Sequence, residues 1–419
     1  MSFAIVLFGT LAGLPIAMAI IAALMYFMIT GDAPYHPRLV ASEMFKGLNS
    51  FPLLSIPLFV LAGELMNESG ITGRIIRFCV VLVGRLRAGL ALVNIWASVI
   101  FAGLSGSAIA DTSAIGRVFI PEMEKHGYDR AYAAALTAAS SVIGPIIPPS
   151  IPVIIYALIV SGVSVPALFM AGVGPGILLA VFLSAWVLMT VKVADPAPGV
   201  DIMAGQSAGQ ALLGGVVPLL MPVFVVGSIL LGVVTPTEAA ALAVGYALVV
   251  GLVIYRKLGF HNLPRIFANA MVDSSIILII MAAVAAANWV LTYNRIPNML
   301  TEWVLSTVDS KTTFLIAQMI LFLEGIAAML VLVPILHPIA VAFGVDPTHF
   351  GIIVIFNLMI GLITPPLGLC LFVAEGVANV GMTALVRQIV PFFCVEVVVL
   401  IILTFVPAFS TWLPNMLGF

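Results

Sequence analysis

Charge is what this sequence has least of. Charged residues make up 8% of the 419 positions and hydrophobic residues 63%, whereas a soluble domain is roughly a quarter charged. A water-soluble fold of this composition lacks the polar surface to stay dispersed, so the solvent that fits is lipid. The 16 basic and 18 acidic residues nearly cancel, which excludes the broad basic field of a nucleic-acid binder. The three cysteines, Cys79, Cys370 and Cys394, are far apart, with no C-x-x-C spacing and no paired histidines; they read as small packing residues rather than a zinc site or disulfide framework. There is no G-x-x-x-x-G-K-[ST], and Gly172-Val-Gly-Pro-Gly176 has neither the spacing nor the preceding strand of a dinucleotide loop. No H-E-x-x-H occurs, and the histidines at 36, 126, 261, 337 and 349 are scattered. An enzyme is therefore not expected, nor any cofactor beyond an ion.

What is present is length of apolar chain. A bilayer core takes about 20 apolar residues per spanning helix, and Phe3–Ile29, Leu168–Val191, Leu212–Val234, Ala239–Tyr255, Ala270–Val290 and Ala384–Val406 all qualify or come close. The first has no basic leader, and its apolar stretch is too long for a signal-peptide core, so it is expected to be retained. Shorter or interrupted runs lie at 51–66, 88–104, 131–147, 151–163, 314–333, 351–363 and 367–377. Short segments broken by Gly and Pro at matching places in two halves point to a transporter's midplane site, because irregular backbone at membrane depth must be buried in protein or line a wet cavity.

Such a match exists. Ile143-Gly-Pro-Ile-Ile-Pro-Pro149 and Ile360-Gly-Leu-Ile-Thr-Pro-Pro366 lie 217 residues apart and agree at five of seven positions. A re-entrant hairpin is expected before each break: 88–122, turning at Ser105-Gly106-Ser107, and 314–341, turning between Glu324 and Pro334. The Pro- and Gly-rich stretch 193–207 divides the chain into 1–200 and 201–419. The first unit holds hairpin 88–122 and broken helix 131–163; the second holds hairpin 314–341 and broken helix 351–377. The expected fold is an all-α polytopic membrane protein made of two inverted repeats with re-entrant hairpins and proline-broken helices. Basic clusters around Arg74–Arg87, Arg117–Arg130, Lys192 and Arg256–Arg265 make those loops cytoplasmic under the positive-inside rule. The first hairpin then enters from the cytoplasm and the second from the other face. Ile71–Leu86 reads as an amphipathic arm along the interface, with an ordinary spanning helix as the competing reading.

A transporter must replace an ion's or anion's water with fixed dipoles, and broken helices supply them: free N–H groups for anions, unwound carbonyls for cations. Ser105 and Ser107 offer hydroxyls beside Gly106, although a plain helix-turn-helix with a serine cap uses the same residues. Asn357 and Thr364 are seven residues apart on one face, just before Pro365-Pro366; they can turn oxygens inward or form an interhelical hydrogen bond. Among Glu64, Asp111, Glu238, Asp273, Glu324, Glu375 and Glu396, Asp111 is nearest the first hairpin tip and Glu324 nearest the second turn. Charge at membrane depth is costly, so these two are the candidate functional carboxylates, with a helix-capping role open for Asp111. A channel is the alternative within transport.

Ser50-Phe-Pro-Leu-Leu-Ser-Ile-Pro-Leu-Phe-Val-Leu-Ala-Gly-Glu-Leu-Met-Asn67, Gly103-Leu-Ser-Gly-Ser-Ala-Ile-Ala-Asp111, Ile143-Gly-Pro-Ile-Ile-Pro-Pro-Ser150 and Asn357-Leu-Met-Ile-Gly-Leu-Ile-Thr-Pro-Pro366 together resemble the large membrane subunit of TRAP (tripartite ATP-independent periplasmic) transporters. The resemblance covers essentially the whole chain. It implies Na⁺-coupled uptake of organic acids across the bacterial inner membrane by an elevator-type motion. It also implies a small four-helix membrane partner and a periplasmic substrate-binding protein. By the same resemblance, Ser105, Gly106 and Ser107 form the first hairpin tip, and Gly144 with Pro148 and Pro149 the first break. Asn357, Gly361 and Thr364 with Pro365 form the second break. Na⁺ is expected near Ser105, Ser107, Asn357 and Thr364. Leu323-Glu324-Gly325-Ile326 departs from the family in having Glu where Asp is frequent, and no serine-glycine-serine.

Overall fold

A computed structural model describes residues 5, 8–9, 13–30, 37–160, 162–191, 207–308, 310–320, 325–365 and 368–419. Glu324, Pro366 and almost all of the 193–207 boundary lie outside the described residues, which contain helices and no strands. Among them, six helices are long and apolar enough to cross a bilayer: 51–68, 165–190, 208–230, 236–254, 263–293 and 382–405.

Among the described residues the first full helices are α1 (Ile16–Thr30) and α2 (Pro37–Leu48). The expected continuous run 3–29 is interrupted: Gly13 has φ +90° and Pro15 follows, so α1 begins only at Ile16. Next come α3 (Ser55–Glu68) and α4 (Ile71–Val83). At 13 residues, α4 is about 20 Å long and cannot cross a core of about 30 Å. It buries Ile71, Ile75, Ile76, Cys79 and Val80 on one stripe, the pattern of a helix lying against the protein.

Two arms follow, α5 (Gly89–Ser105) and α6 (Ala108–Lys125), then α7 (Arg130–Ser141), an irregular stretch, α8 (Ile151–Ile159) and α9 (Val165–Thr190). In the second half α10 (Ala208–Leu230), α11 (Pro236–Val249, continued by a π turn to Ile254), α12 (Leu263–Tyr293) and α13 (Ile296–Thr307) precede a similar series. That series is α14 (Lys311–Met319), α15 (Gly325–Ala342), α16 (Pro347–Gly361), α17 (Leu369–Ala378) and α18 (Met382–Phe405), closed by α19 (Ala408–Met416). The second turn was expected between Glu324 and Pro334; Glu324 lies outside the described residues, and Gly325 to Pro334 are helical, inside α15.

Ala108 to Gly325, Arg130 to Pro347 and Val165 to Met382 are the starts of α6/α15, α7/α16 and α9/α18, and each pair is 217 positions apart. The α7 and α16 N-caps correspond as well: Asp129 accepts from Tyr132 N–H and Asp346 from His349 N–H, both at 2.8 Å. An Asp in β conformation before a helix satisfies an otherwise orphan donor, so the same local solution recurs in both halves.

Burial separates two kinds of helix. Residues 133–141 of α7 and 349–361 of α16 are buried on every side, and a helix buried all round sits at the centre of its fold. The small side chains of α7, Ala133 to Ala135 and Ala138 to Ser141, permit close approach of neighbours. By contrast α10 and α12 expose Leu213, Val223, Phe224, Met271, Val272 and Ile276, apolar faces suited to lipid. The glycine cluster at 172–176 is helical rather than a loop. A Cβ at Gly172 would strike the Ile146 carbonyl, one at Gly174 the Phe409 carbonyl and one at Gly176 the Ile147 side chain, so α9 runs hard against the irregular stretch between α7 and α8.

The inverted-repeat expectation makes a test of the two matching hairpins. Lys125→Cys and Ala342→Cys, at the exposed C-terminal ends of α6 and α15, are introduced in a chain without the three native cysteines. They should react with an impermeant thiol reagent from opposite sides of intact vesicles. Reaction from the same side would remove the inversion.

Candidate functional site

The first hairpin tip is built by three consecutive residues. Ser105 ends α5, Gly106 turns the chain with φ +59°, and Ser107 in β conformation caps α6, its Oγ accepting from Ala110 N–H at 3.4 Å. A left-handed φ disfavours a side chain, and a Cβ at Gly106 would also come within 2.7 Å of the Pro149 carbonyl oxygen. The Ser105 hydroxyl donates to Asp111 Oδ1 and accepts from Ser107 N–H at 3.2 Å. Asp111 is fully buried, and its Oδ2 has no hydrogen-bond partner among the described residues.

That free oxygen faces the break. A side chain at Gly144 would collide with Asp111 Oδ2, so the absence of a Cβ at 144 lets the carboxylate reach the irregular backbone. Between α7 and α8 the chain turns through Gly144 N–H to Ser141 C=O at 3.0 Å and Ile146 N–H to Ile143 C=O at 3.0 Å. It passes a cis Pro148-Pro149 bond and restarts at Ser150. Ser150 caps α8 by accepting from Val153 N–H at 3.3 Å, and donates to the Pro145 carbonyl. The N-termini of α6 and α8 thus converge, with Gly106 against Pro149 and Ile151. Their positive dipole ends favour a negative group there.

Sequence reading missed the polar ladder behind this tip. Asn94 Nδ2 donates to Thr137 Oγ1 at 2.7 Å, Ser98 Oγ to Ser140 Oγ at 2.9 Å, and Ser140 Oγ lies 3.3 Å from Asn94 Oδ1. It clamps α5 to α7 inside the apolar core. Its signal was available: Asn94 and Ser98 are four residues apart, and Thr137 and Ser140 three, each pair on one helix face.

In the second half, Asn357 is buried in α16 and donates from Nδ2 to the Gln318 carbonyl of α14 at 2.9 Å. That acceptor orients the amide and leaves Oδ1 unpartnered among the described residues, as is Oε1 of the equally buried Gln318. Thr364 Oγ1 bonds back to the Ile360 carbonyl at 2.9 Å. The break carbonyls were expected to be unpaired. Instead Met359, Ile360, Gly361, Leu362 and Thr364 each accept a backbone N–H, from Leu362, Ile363, Thr364, Cys370 and Gly368 respectively. The chain tightens after Gly361 so that these groups satisfy one another; the Ile360 carbonyl accepts twice, from Ile363 N–H and Thr364 Oγ1, while the other four keep one lone pair for a further ligand. Pro365 is half-buried at the end of this turn. No hydrogen bond joins Ser105 or Ser107 to Asn357 or Thr364, so each half forms its own cluster.

Two other acidic residues are explained locally or left open. Glu238 closes a capping box with Thr235 at the start of α11. Glu396 of α18 is fully buried with neither carboxylate oxygen partnered among the described residues, and no motif in the sequence singled it out. Among the described residues no three His, Cys, Asp or Glu side chains gather as a metal cluster. The available oxygens are amide, hydroxyl, carbonyl and carboxylate, the hard-donor set that suits an alkali or alkaline-earth cation rather than zinc or copper.

Helices broken inside an apolar bundle, with buried oxygens beside the breaks, are the features of a polytopic membrane transporter. By sequence the chain belongs to the DctM component family of the tripartite ATP-independent periplasmic transporters, whose family model matches residues 3–409. It is 36% identical to the sialic acid TRAP transporter large permease protein SiaM of Vibrio cholerae, covering 97% of this chain and 96% of that one. It is 33% identical to the C4-dicarboxylate TRAP transporter large permease protein DctM of Rhodobacter capsulatus, over 99% of both. The fold is similar to that of the YdaH transporter of Alcanivorax borkumensis, with a TM-score of 0.65 at 15% identity over 95% of this chain and 98% of that one. Large permeases of this family work with a small membrane subunit and a substrate-binding protein.

The contact between Gly144 and Asp111 carries a stability prediction. Gly144→Ala should lower stability by about 1–3 kcal/mol, the usual cost of overpacking a filled core. Gly245→Ala, facing open space in α11, should be neutral or gain up to about 1 kcal/mol in helix propensity. Thermal unfolding midpoints of the two purified variants measure the difference. Equal midpoints would mean that the break can retreat from Asp111 without loss.

Proposed function

We propose that this chain is the solute-translocating subunit of a Na⁺-coupled importer in the bacterial inner membrane. It would take up an organic acid, of the class of a sialic acid or a C4-dicarboxylate, delivered by a periplasmic binding protein, and would work beside a small four-helix membrane subunit. The observation that carries the reading is the set of buried oxygens left without hydrogen-bond partners beside the two breaks: Asp111 Oδ2 in one half, Asn357 Oδ1 and Gln318 Oε1 in the other. An unsatisfied buried polar atom costs about 1–3 kcal/mol, and a dehydrated cation needs several such oxygens to replace its water. Asn357, Gln318 and Thr364 would hold Na⁺ in the second half. Ser105, Ser107 and Asp111 would do so in the first, with Gly144 and Gly361 admitting the ligands and Pro148, Pro149 and Pro365 holding the breaks open.

The half-helix N-termini at Ala108 and Ile151 would receive the carboxylate of the solute. The 217-residue correspondence of helix starts supports two inverted copies with units 1–200 and 201–419, and hence an alternating, elevator-type exchange in which each hairpin faces one side.

Two measurements test the coupling. Vesicles holding this chain and its small partner, supplied with binding protein and solute, should accumulate solute only under an inward Na⁺ gradient. Equal accumulation with K⁺ throughout would overturn Na⁺ coupling, and gradient-independent flux would make the protein a channel. Thr364→Val removes one oxygen at nearly constant shape. It should raise the Na⁺ concentration for half-maximal uptake by about threefold to tenfold, the equivalent of roughly 1 kcal/mol. Thr404→Val removes the same kind of back-bond, there to Leu400, in ordinary helix and should leave that concentration unchanged. If both variants behave alike, Thr364 is a packing residue.

A further inference from the structure

An open groove of about 510 Å³ lies between α6 and α17, walled by Ser113, Arg117 and Pro121 on one side and Phe372, Gly376 and Val377 on the other. It is a shallow groove open to the surface rather than an enclosed cavity. Its two walls belong to the helices that follow the first hairpin tip and the second break. Ser113 is about 8 Å along α6 from the hairpin tip, taking 1.5 Å per residue, and α17 starts directly after the second break.

The groove carries one formal charge. Arg117 is exposed and forms no ion pair or hydrogen bond among the described residues. It stands about two turns before Lys125 along α6, exposed and so free to meet an anion. The acidic groups around it are turned away or neutralised. Glu124, next along the same face of α6, is paired to Arg130 at 2.7 Å. Glu122 takes Lys125 at 3.2 Å on the opposite side, and Asp111 faces Gly144. Glu375 is about 130° round α17 from the centre of the groove face, at 100° per residue. A cation and a hydroxyl on one wall, with an aromatic ring and an aliphatic surface opposite, match a small organic anion: a carboxylate on a carbon skeleton.

We propose that this groove is a second station for the transported organic acid, distinct from the hairpin tip, where Arg117 and Ser113 bind its carboxylate on the way out along α6 and α17. The assignment rests on the transport reading above but is tested without measuring transport. The chain, with its small partner and with the three native cysteines replaced, carries Ser113→Cys, or Val377→Cys on the facing wall, in phosphatidylcholine nanodiscs. The anionic reagent sulfonatoethyl methanethiosulfonate should modify either site about fivefold faster, relative to its trimethylammonium analogue, than it modifies an exposed cysteine elsewhere. Millimolar succinate or N-acetylneuraminate should slow that reaction, and Arg117→Gln should abolish both the charge preference and the protection, whereas Arg117→Lys should keep part of each. Absence of protection by either acid, or protection that survives Arg117→Gln, overturns the proposal. Protection by phosphatidylglycerol in the discs without added acid would assign the groove to a lipid headgroup instead. A chain that shows Arg117-dependent protection yet ignores a Na⁺ gradient would sink the coupling and leave the groove standing.

Discussion

Inside a bilayer, a backbone N–H or C=O that leaves its helix finds no water to replace the lost hydrogen bond. Every distinctive feature of this fold answers that constraint at two places, residues 142–150 and 362–368. At the first, prolines at 145, 148 and 149 remove three donors outright, Gly144 and Ile146 bond back to Ser141 and Ile143, and Ser150 takes both the Pro145 carbonyl and Val153 N–H. At the second, the chain folds on itself through Gly368 to Thr364 and Cys370 to Leu362, each at 3.0 Å. Satisfying the breaks internally lets them persist at membrane depth.

The packing around the breaks follows from the need to keep lipid away from them. α7 and α16 are buried on all sides, and the helices around them approach through residues with little or no side chain: Gly103 and Gly106 on the first hairpin, Gly172 and Gly176 on α9. The halves also reach across to one another. Tyr156 at the end of α8 donates to or accepts from His337 at 3.2 Å, lies 3.3 Å from the Pro347 carbonyl, and fits its ring over Gly351 of α16. Arg130 at the start of α7 donates from Nε to the Ala378 carbonyl, closing the end of α17. Hairpins and broken helices therefore form one interlocked body, with α10 and α12 turning apolar faces outward.

Against this economy the unsatisfied oxygens stand out. Packing alone would place an apolar side chain at 111, 318, 357 or 396. A buried carboxylate with a free oxygen is a standing cost; Asn67, Glu122, Tyr132 and Ser184 also carry a buried oxygen without a hydrogen-bond partner among the described residues, and Asp111, Gln318 and Asn357 lie at a hairpin or beside a break. Glu396 lies apart from them, on α18. Its burial has no structural account in its immediate neighbours.

Composition and run length alone determined that this chain lives in a bilayer as an all-helical, polytopic protein, since no other solvent fits 8% charge. Short-range chemistry also located the breaks: Pro-Pro cannot continue a helix, and the same heptapeptide pattern recurs at 143 and 360. The Ser105-Gly106-Ser107 turn was legible because a left-handed residue between two capping hydroxyls is a local property. Tertiary structure decided what no local pattern encodes. It interrupted the first apolar run at Gly13 and made Gly325–Ala342 helical where a turn was expected. It made Gly144 the seat of Asp111 rather than a mere flexible joint, and paired the break carbonyls that spacing alone suggested were free. It brought Gln318 to Asn357, Asn94 to Thr137 and Arg117 to the wall of a groove. These are distances between side chains 39, 43 and some 260 residues apart in the chain. Helical periodicity says which face a residue occupies, but only the packing of helices upon one another says what that face meets.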